Sequence, residues 1–169
     1  YLEALNRLTR DKNLQKDVLA FIKVPSWVGE PRQDLLDRLK SKEKFDTPLH
    51  CPFITHWLHN MSQDQVLDML KYMGMSNSKE SKVKVIFIPC YMDGHDGIMD
   101  ITYYDLVLGN DMTVYPSYYE PWGYTPLESV AFHVPAITTD LAGFGLWVNS
   151  LMGKYSELKD GVKVIHRSD

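Results

Sequence analysis

The sequence predicts an α/β protein with a Rossmann-like, doubly wound parallel sheet. Short apolar runs that end at a proline or a polar turn are typical of buried strands, and here they alternate with segments of helical periodicity or with helix caps. Strands that are joined through helices run parallel and are covered on both faces. Because such sheets bind ligands beyond the carboxyl ends of their strands, functional residues are expected in four segments: 25–29, 89–100, 116–125 and 139–145.

The first half of the chain predicts three helices and two strands. Leucines at helical spacing or a polar cap predict helices over 2–10, 30–44 and 63–73. Apolar runs that end at a proline predict buried strands over 18–24 and 83–88. Leu35, Leu36 and Leu39 are expected on the inward face of the second helix, and Ser62 is expected to cap the third. Residues 46–60 are expected to be irregular.

The second half repeats the alternation of helix and strand after a loop over 92–100 that is rich in Asp and Gly. Helices are predicted near 102–108, from Thr125 onward and over 144–152. Strands are predicted around 112–115, 136–139 and 161–165. In the helix that starts at Thr125, Pro126 would be the first helical residue and Glu128 the third, which is the pattern of a capping box.

Composition excludes several classes of protein. The net charge is −4 and no cluster of Lys or Arg is present, so a nucleic-acid partner is not expected. Two cysteines, Cys51 and Cys90, are too few for a disulfide framework and are expected to be reduced thiols in a cytoplasmic protein. No apolar run is long enough to span a bilayer, and residues 1–13 lack the apolar region of a signal peptide.

Two carboxylates eight residues apart mark the segment 114–128. Glu120 precedes the predicted helix and Glu128 lies at its start, with Gly123 and Tyr124 between them. The free N–H groups and the dipole of a helix N-terminus attract a diphosphate, and Gly123 would let the backbone approach it. Glu128 could accept hydrogen bonds from sugar hydroxyls. Taken alone, the Glu128 carboxylate could equally serve only the capping box.

The string PSYYEPWGYTPLE over 116–128 resembles the signature of animal and fungal glycogen synthases, and its two glutamates match the E-x7-E pattern of retaining glycosyltransferases of the GT-B fold. Neighbouring segments agree with that family in the same order: 59–61, 82–89, 103–109 and 135–145. The resemblance implies a nucleotide-sugar-binding domain that forms the C-terminal half of a GT-B enzyme. Residues 1–169 are then one partial domain, with 27–81 as a helical insertion.

The resemblance also implies roles for particular residues. Glu120 corresponds to the active-site carboxylate beside the donor glucose, where it either stabilises positive charge at the anomeric carbon or binds sugar hydroxyls. Tyr91 and Tyr103 correspond to the aromatic residues that stack on uracil, and Glu128 to the residue that binds ribose. The resemblance further implies that the backbone of Trp122, Gly123 and Tyr124 binds the hexose hydroxyls. Tyr124 and Thr125 would bind the diphosphate.

The implied activity is transfer of glucose from UDP-glucose to the non-reducing end of an α-1,4-glucan, with retention and without a metal or other cofactor. ADP-glucose remains possible as the donor. The glucan would be bound through an N-terminal domain that this chain lacks, so the chain alone is expected to be inactive. The alternatives are a non-catalytic nucleotide-sugar-binding module and a related GT-B transferase with another acceptor.

A metal site is not expected from the spacing of the histidines. His56 and His59 lie three residues apart, but no third ligand follows at a spacing typical of zinc sites. Asp93, Asp96 and Asp100 lack the ligand spacing and the final Glu of a calcium-binding EF-hand loop. We expect a solvated turn at these three aspartates.

Overall fold

The computed structural model describes residues 1–152 and 156–167, and the chain divides into two compact units, residues 1–101 and 102–169. Both units combine helices with parallel strands, which confirms a mixed α/β class. The strands form three small sheets: a parallel pair, an antiparallel pair and a parallel triplet. None of the described helices is long and apolar enough to cross a membrane.

The first unit contains three helices and four strands. In chain order these are α1 (Leu2–Thr9), β1 (Val18–Lys23), β2 (Val28–Pro31), α2 (Gln33–Lys40), β3 (His56–Leu58), α3 (Gln65–Tyr72) and β4 (Val83–Ile88). The predicted bounds of α1, β1 and β4 are therefore confirmed to within one residue at each end. These three elements have the clearest apolar periodicity in the sequence, which explains the agreement.

Strand β4 organises the core of the first unit. It pairs in parallel with β1, from Val18 opposite Val83 to Lys23 opposite Ile88. Along its other edge, Phe87 exchanges backbone hydrogen bonds with residues 53–55, at 2.6 Å and 3.1 Å. Because β4 has neighbours on both edges and apolar residues on both faces, most of its side chains are fully buried.

The antiparallel pair β2–β3 was not predicted, and it shortens the second helix. Residues 28–31 pair with 56–58, so α2 begins only at Gln33. At this junction the guanidinium of Arg32, which is 1% exposed, donates to the carbonyls of residues 50, 51 and 54 and to the Asp34 carboxylate. The hydrogen bonds from Arg32, together with its charge, hold the pKa of Asp34 below the usual range. This buried cation fixes a segment whose own sequence has no periodicity.

Two further expectations about the first unit were wrong. Leu39 points to solvent, with 61% of its surface exposed, because α2 is short and buries none of its residues completely. Ser62 lies in a 3₁₀ turn and does not cap α3. Asp64 takes that role, since its side chain accepts a hydrogen bond from the Leu67 N–H at 2.9 Å.

The second unit alternates helix and strand as predicted. Its elements are α4 (Tyr103–Leu108), β5 (Thr113–Val114), α5 (Tyr124–Ala131), β6 (Ala136–Thr139), α6 (Gly143–Met152) and β7 (Val162–Ile165). All three strands are parallel, in the order β5-β6-β7. Phe144, Val148, Val162 and Val164 form a buried cluster between α6 and β7. The carboxyl ends of these strands meet at one edge, which brings residues 115–123 and 140–143 to the same place.

Replacing Leu70 by Ala should lower the free energy of unfolding by about 2–5 kcal/mol, because this side chain is completely buried among apolar residues of the first unit. The neighbouring Met69 is 46% exposed on the same helix and provides the matched control, Met69→Ala. Urea denaturation measures both variants. Equal losses in the two would contradict the described orientation of α3.

Candidate functional site

The predicted site residues are divided between the two units. Tyr91 belongs to the first unit, where it follows β4 on an exposed loop, and the Lys23 Nζ atom lies 5.3 Å from the centroid of its ring. The other seven belong to the second unit, and six of these lie in a continuous stretch, 120–128, around the start of α5. The second unit can therefore be examined as a candidate site by itself.

Helix α5 begins at a left-handed glycine. Gly123 is buried, has a φ of 91° and occupies the N-cap position, so the helix starts at Tyr124. This start is earlier than the sequence predicted, and it places Thr125 in the first turn and Glu128 in the second. The expected capping box between Thr125 and Glu128 was therefore wrong, and the N-cap offers no side chain to the first N–H groups of the helix. These N–H groups remain available to an acceptor from outside the helix.

Backbone hydrogen bonds fasten the segment before α5 to the start of α6. The Glu120 N–H donates to the Leu141 carbonyl at 3.3 Å, the Gly143 N–H to the Glu120 carbonyl at 3.1 Å, and the Phe144 N–H to the Trp122 carbonyl at 2.6 Å. This ladder extends the edge of the parallel sheet into the loop. The position of the Glu120 backbone is therefore set by the main chain, while its side chain remains exposed.

Glycines make this close approach possible. A Cβ atom on Gly143 would overlap the carbonyl oxygen of Pro121, and one on Gly145 would overlap that of Thr139. A Cβ on Gly123 would lie 3.3 Å from the Cγ of Glu120. The segment before α5 could not stay in contact with α6 if position 143 held a larger residue, unless the backbone moved, and a larger residue at 145 would displace the end of β6.

Glu128 contacts a residue that the sequence interpretation did not single out. The hydroxyl of Tyr104 donates to Oε1 of Glu128 at 3.2 Å, and the negative charge of Glu128 raises the pKa of Tyr104. Tyr104 directly follows Tyr103, the residue that the resemblance assigns to uracil, in α4. The ring of Tyr104 also packs against Phe132, with centroids 5.4 Å apart.

The hydroxyl of Tyr103 belongs to a chain of hydrogen bonds that leads back to α5. It lies 3.0 Å from the hydroxyl of Tyr115, which lies 2.7 Å from Oγ of Ser129, and that atom donates to the Thr125 carbonyl at 3.1 Å. Burial, followed by the hydrogen bond to Tyr115, raises the pKa of Tyr103. The network fixes α4, the end of β5 and α5 relative to one another. The sequence indicates one link of this network, because a serine inside a helix can donate to the carbonyl four residues earlier, as Ser129 does to Thr125.

Aromatic side chains surround the loop and differ in burial. Trp122 is half-buried and packs against Phe144 and Trp147, with centroids 6.2 Å and 6.1 Å apart, so it belongs largely to the core. Tyr118, Tyr119 and Tyr124 each expose more than two thirds of their surface. Exposed aromatic rings of this kind offer apolar faces on which a sugar or a base can stack.

A cation that the sequence interpretation missed lies at the carboxyl end of β7. The guanidinium of Arg167 lies 3.8 Å from the centroid of the Tyr118 ring. Its backbone N–H donates to Asp140, whose other oxygen pairs with Nδ1 of His166 at 2.9 Å. These two contacts hold the pKa of Asp140 below its usual range. A positive charge therefore lies next to the loop that carries Glu120.

Among the described residues, a group that could hold a metal ion lies in the first unit: His56, Cys90 and Asp96, with potential ligand atoms within 4.8 Å of one another. In the second unit the arrangement is of another kind. Two carboxylates, free N–H groups at a helix start, exposed aromatic rings and one guanidinium favour a ligand that carries both hydroxyl and phosphate groups.

Comparisons with known proteins agree with these features. The family model for glycogen synthase matches residues 36–169. The chain is 36% identical over 117 residues to glycogen [starch] synthase isoform 1 of Saccharomyces cerevisiae, a match that covers 69% of the chain and 16% of the yeast protein. It is 35% identical over 120 residues to the liver glycogen [starch] synthase of Rattus norvegicus, which covers 68% and 17%. The chain thus spans about one sixth of these relatives.

Substituting Ala for Gly145 should lower the free energy of unfolding by about 1–3 kcal/mol, because the added Cβ would displace the Thr139 carbonyl. Gly109, at the end of α4, provides the control. Its φ is −81° and a Cβ there would lie 3.5 Å from its nearest neighbour, so Gly109→Ala should be neutral or stabilising by up to about 1 kcal/mol. Denaturation midpoints measure the stability of the two variants. Similar midpoints would contradict the close approach of Gly145 to the Thr139 carbonyl.

Proposed function

The chain belongs to the glycogen synthase family, and from that premise we propose that it supplies the nucleotide-sugar-binding part of a retaining glucosyltransferase. In this proposal residues 1–169 form one domain of the C-terminal half of a GT-B enzyme, with 27–81 as an insertion. The observation that carries the proposal is the glycine-started helix α5, whose uncapped N–H groups lie between Glu120 and Glu128.

The donor would bind at the start of α5. Its diphosphate accepts hydrogen bonds from the N–H groups of Tyr124 and Thr125, where the positive end of the helix dipole lies. The guanidinium of Arg167 adds a positive charge at the same edge of the second unit, next to Tyr118. The left-handed Gly123 supports this role, because a residue without a side chain there lets a phosphate approach the backbone.

The sugars of the donor would bind the two carboxylates. Glu128 accepts hydrogen bonds from the ribose hydroxyls, and its bond to Tyr104 supports this role because it orients the carboxylate. The backbone of residues 122–124 binds the hexose hydroxyls. Tyr103 stacks on the uracil ring.

Glu120 would act at the reacting carbon. Departure of the diphosphate leaves positive charge at the anomeric carbon of glucose, and a carboxylate held beside it stabilises that charge. The backbone ladder to α6 supports this role, because it fixes the Glu120 main chain on a rigid element. The acceptor hydroxyl attacks the face of glucose from which the diphosphate departs, which gives retention. A phosphate oxygen of the donor takes the proton of this hydroxyl. UDP-glucose is the proposed donor and the non-reducing end of an α-1,4-glucan the acceptor.

In the complete natural protein that carries this sequence, Glu120→Gln should reduce kcat much more than it changes the donor KM, because the contact strengthens in the transition state. Glu128→Gln should instead weaken donor binding by about 1.5–3 kcal/mol, as expected when a hydrogen bond to a charged group is lost. Steady-state kinetics with UDP-glucose and glycogen measure both. The same kinetic pattern in the two variants would contradict the proposed division of roles.

The chain by itself should bind UDP weakly, with a dissociation constant in about the millimolar range, which corresponds to about −4 kcal/mol. Amide chemical shifts during a UDP titration should change in residues 122–128. Glu128→Gln should weaken the binding, while Glu80→Gln, a change on an exposed turn of the first unit, should not. Shift changes confined to the first unit, or equal effects of the two variants, would argue against the proposed site.

A further inference from the structure

Three potential metal ligands meet in the first unit, although they are distant in the sequence. His56 opens β3 and is 3% exposed, Cys90 follows β4 and is 8% exposed, and Asp96 lies in the loop after β4. An imidazole nitrogen, the Cys90 Sγ atom and an Asp96 carboxylate oxygen all lie within 4.8 Å of one another. The proposed glucosyl transfer uses none of these three side chains, so the cluster needs a separate explanation.

We propose that His56, Cys90 and Asp96 form a binding site for a divalent transition-metal ion, with zinc as the ion that fits best. Zinc takes nitrogen, sulfur and carboxylate oxygen ligands in tetrahedral geometry, whereas Mg²⁺ and Ca²⁺ select oxygen alone. A thiolate and a carboxylate together balance the charge of the ion. Three protein ligands leave a fourth position for water.

The second shell around His56 supports this assignment. A histidine that binds a metal through one ring nitrogen almost always donates the other N–H to a protein acceptor. Nδ1 of His56 lies 2.9 Å from Oγ1 of Thr55, and that hydroxyl can in turn donate to the Phe87 carbonyl at 3.3 Å. In this structure Nε2 faces the acceptor carbonyl of Asp96 and carries the ring proton, so binding of the ion at Nε2 would move that proton to Nδ1, where the Thr55 hydroxyl can accept a hydrogen bond from it. The contact with Thr55 anchors the ring orientation on β4.

The first shell needs only a small rearrangement. Nε2 of His56 now lies 2.7 Å from the backbone carbonyl of Asp96, a contact that the ion would replace. With bonds of about 2.0–2.3 Å, neighbouring ligand atoms of a tetrahedral zinc site lie about 3.3–3.8 Å apart, so the three atoms must approach by roughly 1 Å. The Asp96 carboxylate is already oriented by the N–H groups of residues 98, 99 and 100.

Binding of the ion would tie the loop after β4 to β3, and that loop includes Tyr91.

The test uses the purified chain after treatment with a chelator. Titration with Co²⁺ should produce the intense near-ultraviolet absorption of a thiolate bound to cobalt, at one equivalent, and Zn²⁺ should displace the cobalt stoichiometrically. Cys90→Ser should abolish this absorption. Cys90→Ser and Asp96→Asn should each weaken zinc binding at least tenfold, as measured by competition with a chromophoric chelator.

Cys51→Ser is the matched control, because Cys51 is the other cysteine of the chain and is not part of the cluster. It should leave both the absorption and the zinc affinity unchanged. If a variant fails to fold, the spectrum of the wild-type chain by itself still tests the proposal. Absence of the thiolate band, or its loss in Cys51→Ser with retention in Cys90→Ser, would overturn the proposal. Weak binding of several equivalents without that band would also overturn it, because it would indicate adventitious surface sites.

Discussion

The close approach of two backbone segments in the second unit is the constraint on which the candidate site depends. Residues 120–122 lie against the start of α6, and the approach requires glycine at 143. Backbone atoms cannot adapt as side chains do, because the peptide groups are rigid and their hydrogen bonds have fixed geometry. A carboxylate attached to such a segment is therefore held more precisely than one on a free loop.

From this contact the rest of the site follows. The ladder to α6 ends at Trp122, and the chain must then turn sharply to begin α5, which the left-handed Gly123 allows. The start of α5 therefore has no polar side chain at its N-cap, and its N–H groups point away from the helix. Hydrogen bonds from Tyr103 through Tyr115 to Ser129 then hold α5 against α4.

In the first unit, a buried cation orders the segment beside the central strand. The central strand, β4, is apolar on both faces, but the segment 50–58 beside it has little periodicity of its own. The buried guanidinium of Arg32 supplies the missing order by binding carbonyl oxygens along that segment. With residues 53–58 fixed in this way, His56 comes to lie next to the loop after β4, where Cys90 and Asp96 are found.

The sequence by itself determined the α/β class and the bounds of β1, β4 and β6, and its motif spacing pointed to 116–128 as the candidate site, because apolar periodicity and motif spacing are local properties. Only the tertiary structure decided that Asp64 caps α3, that α5 starts at Tyr124 with Gly123 as its N-cap, and that Tyr104 contacts Glu128. The cap from Asp64 to the Leu67 N–H is local, and Ser62 and Asp64 are both residue types that cap helices. The contact between Tyr104 and Glu128, in contrast, joins residues distant along the chain. The grouping of His56 with Cys90 and Asp96 has the same cause, since strand pairing and not spacing brings them together.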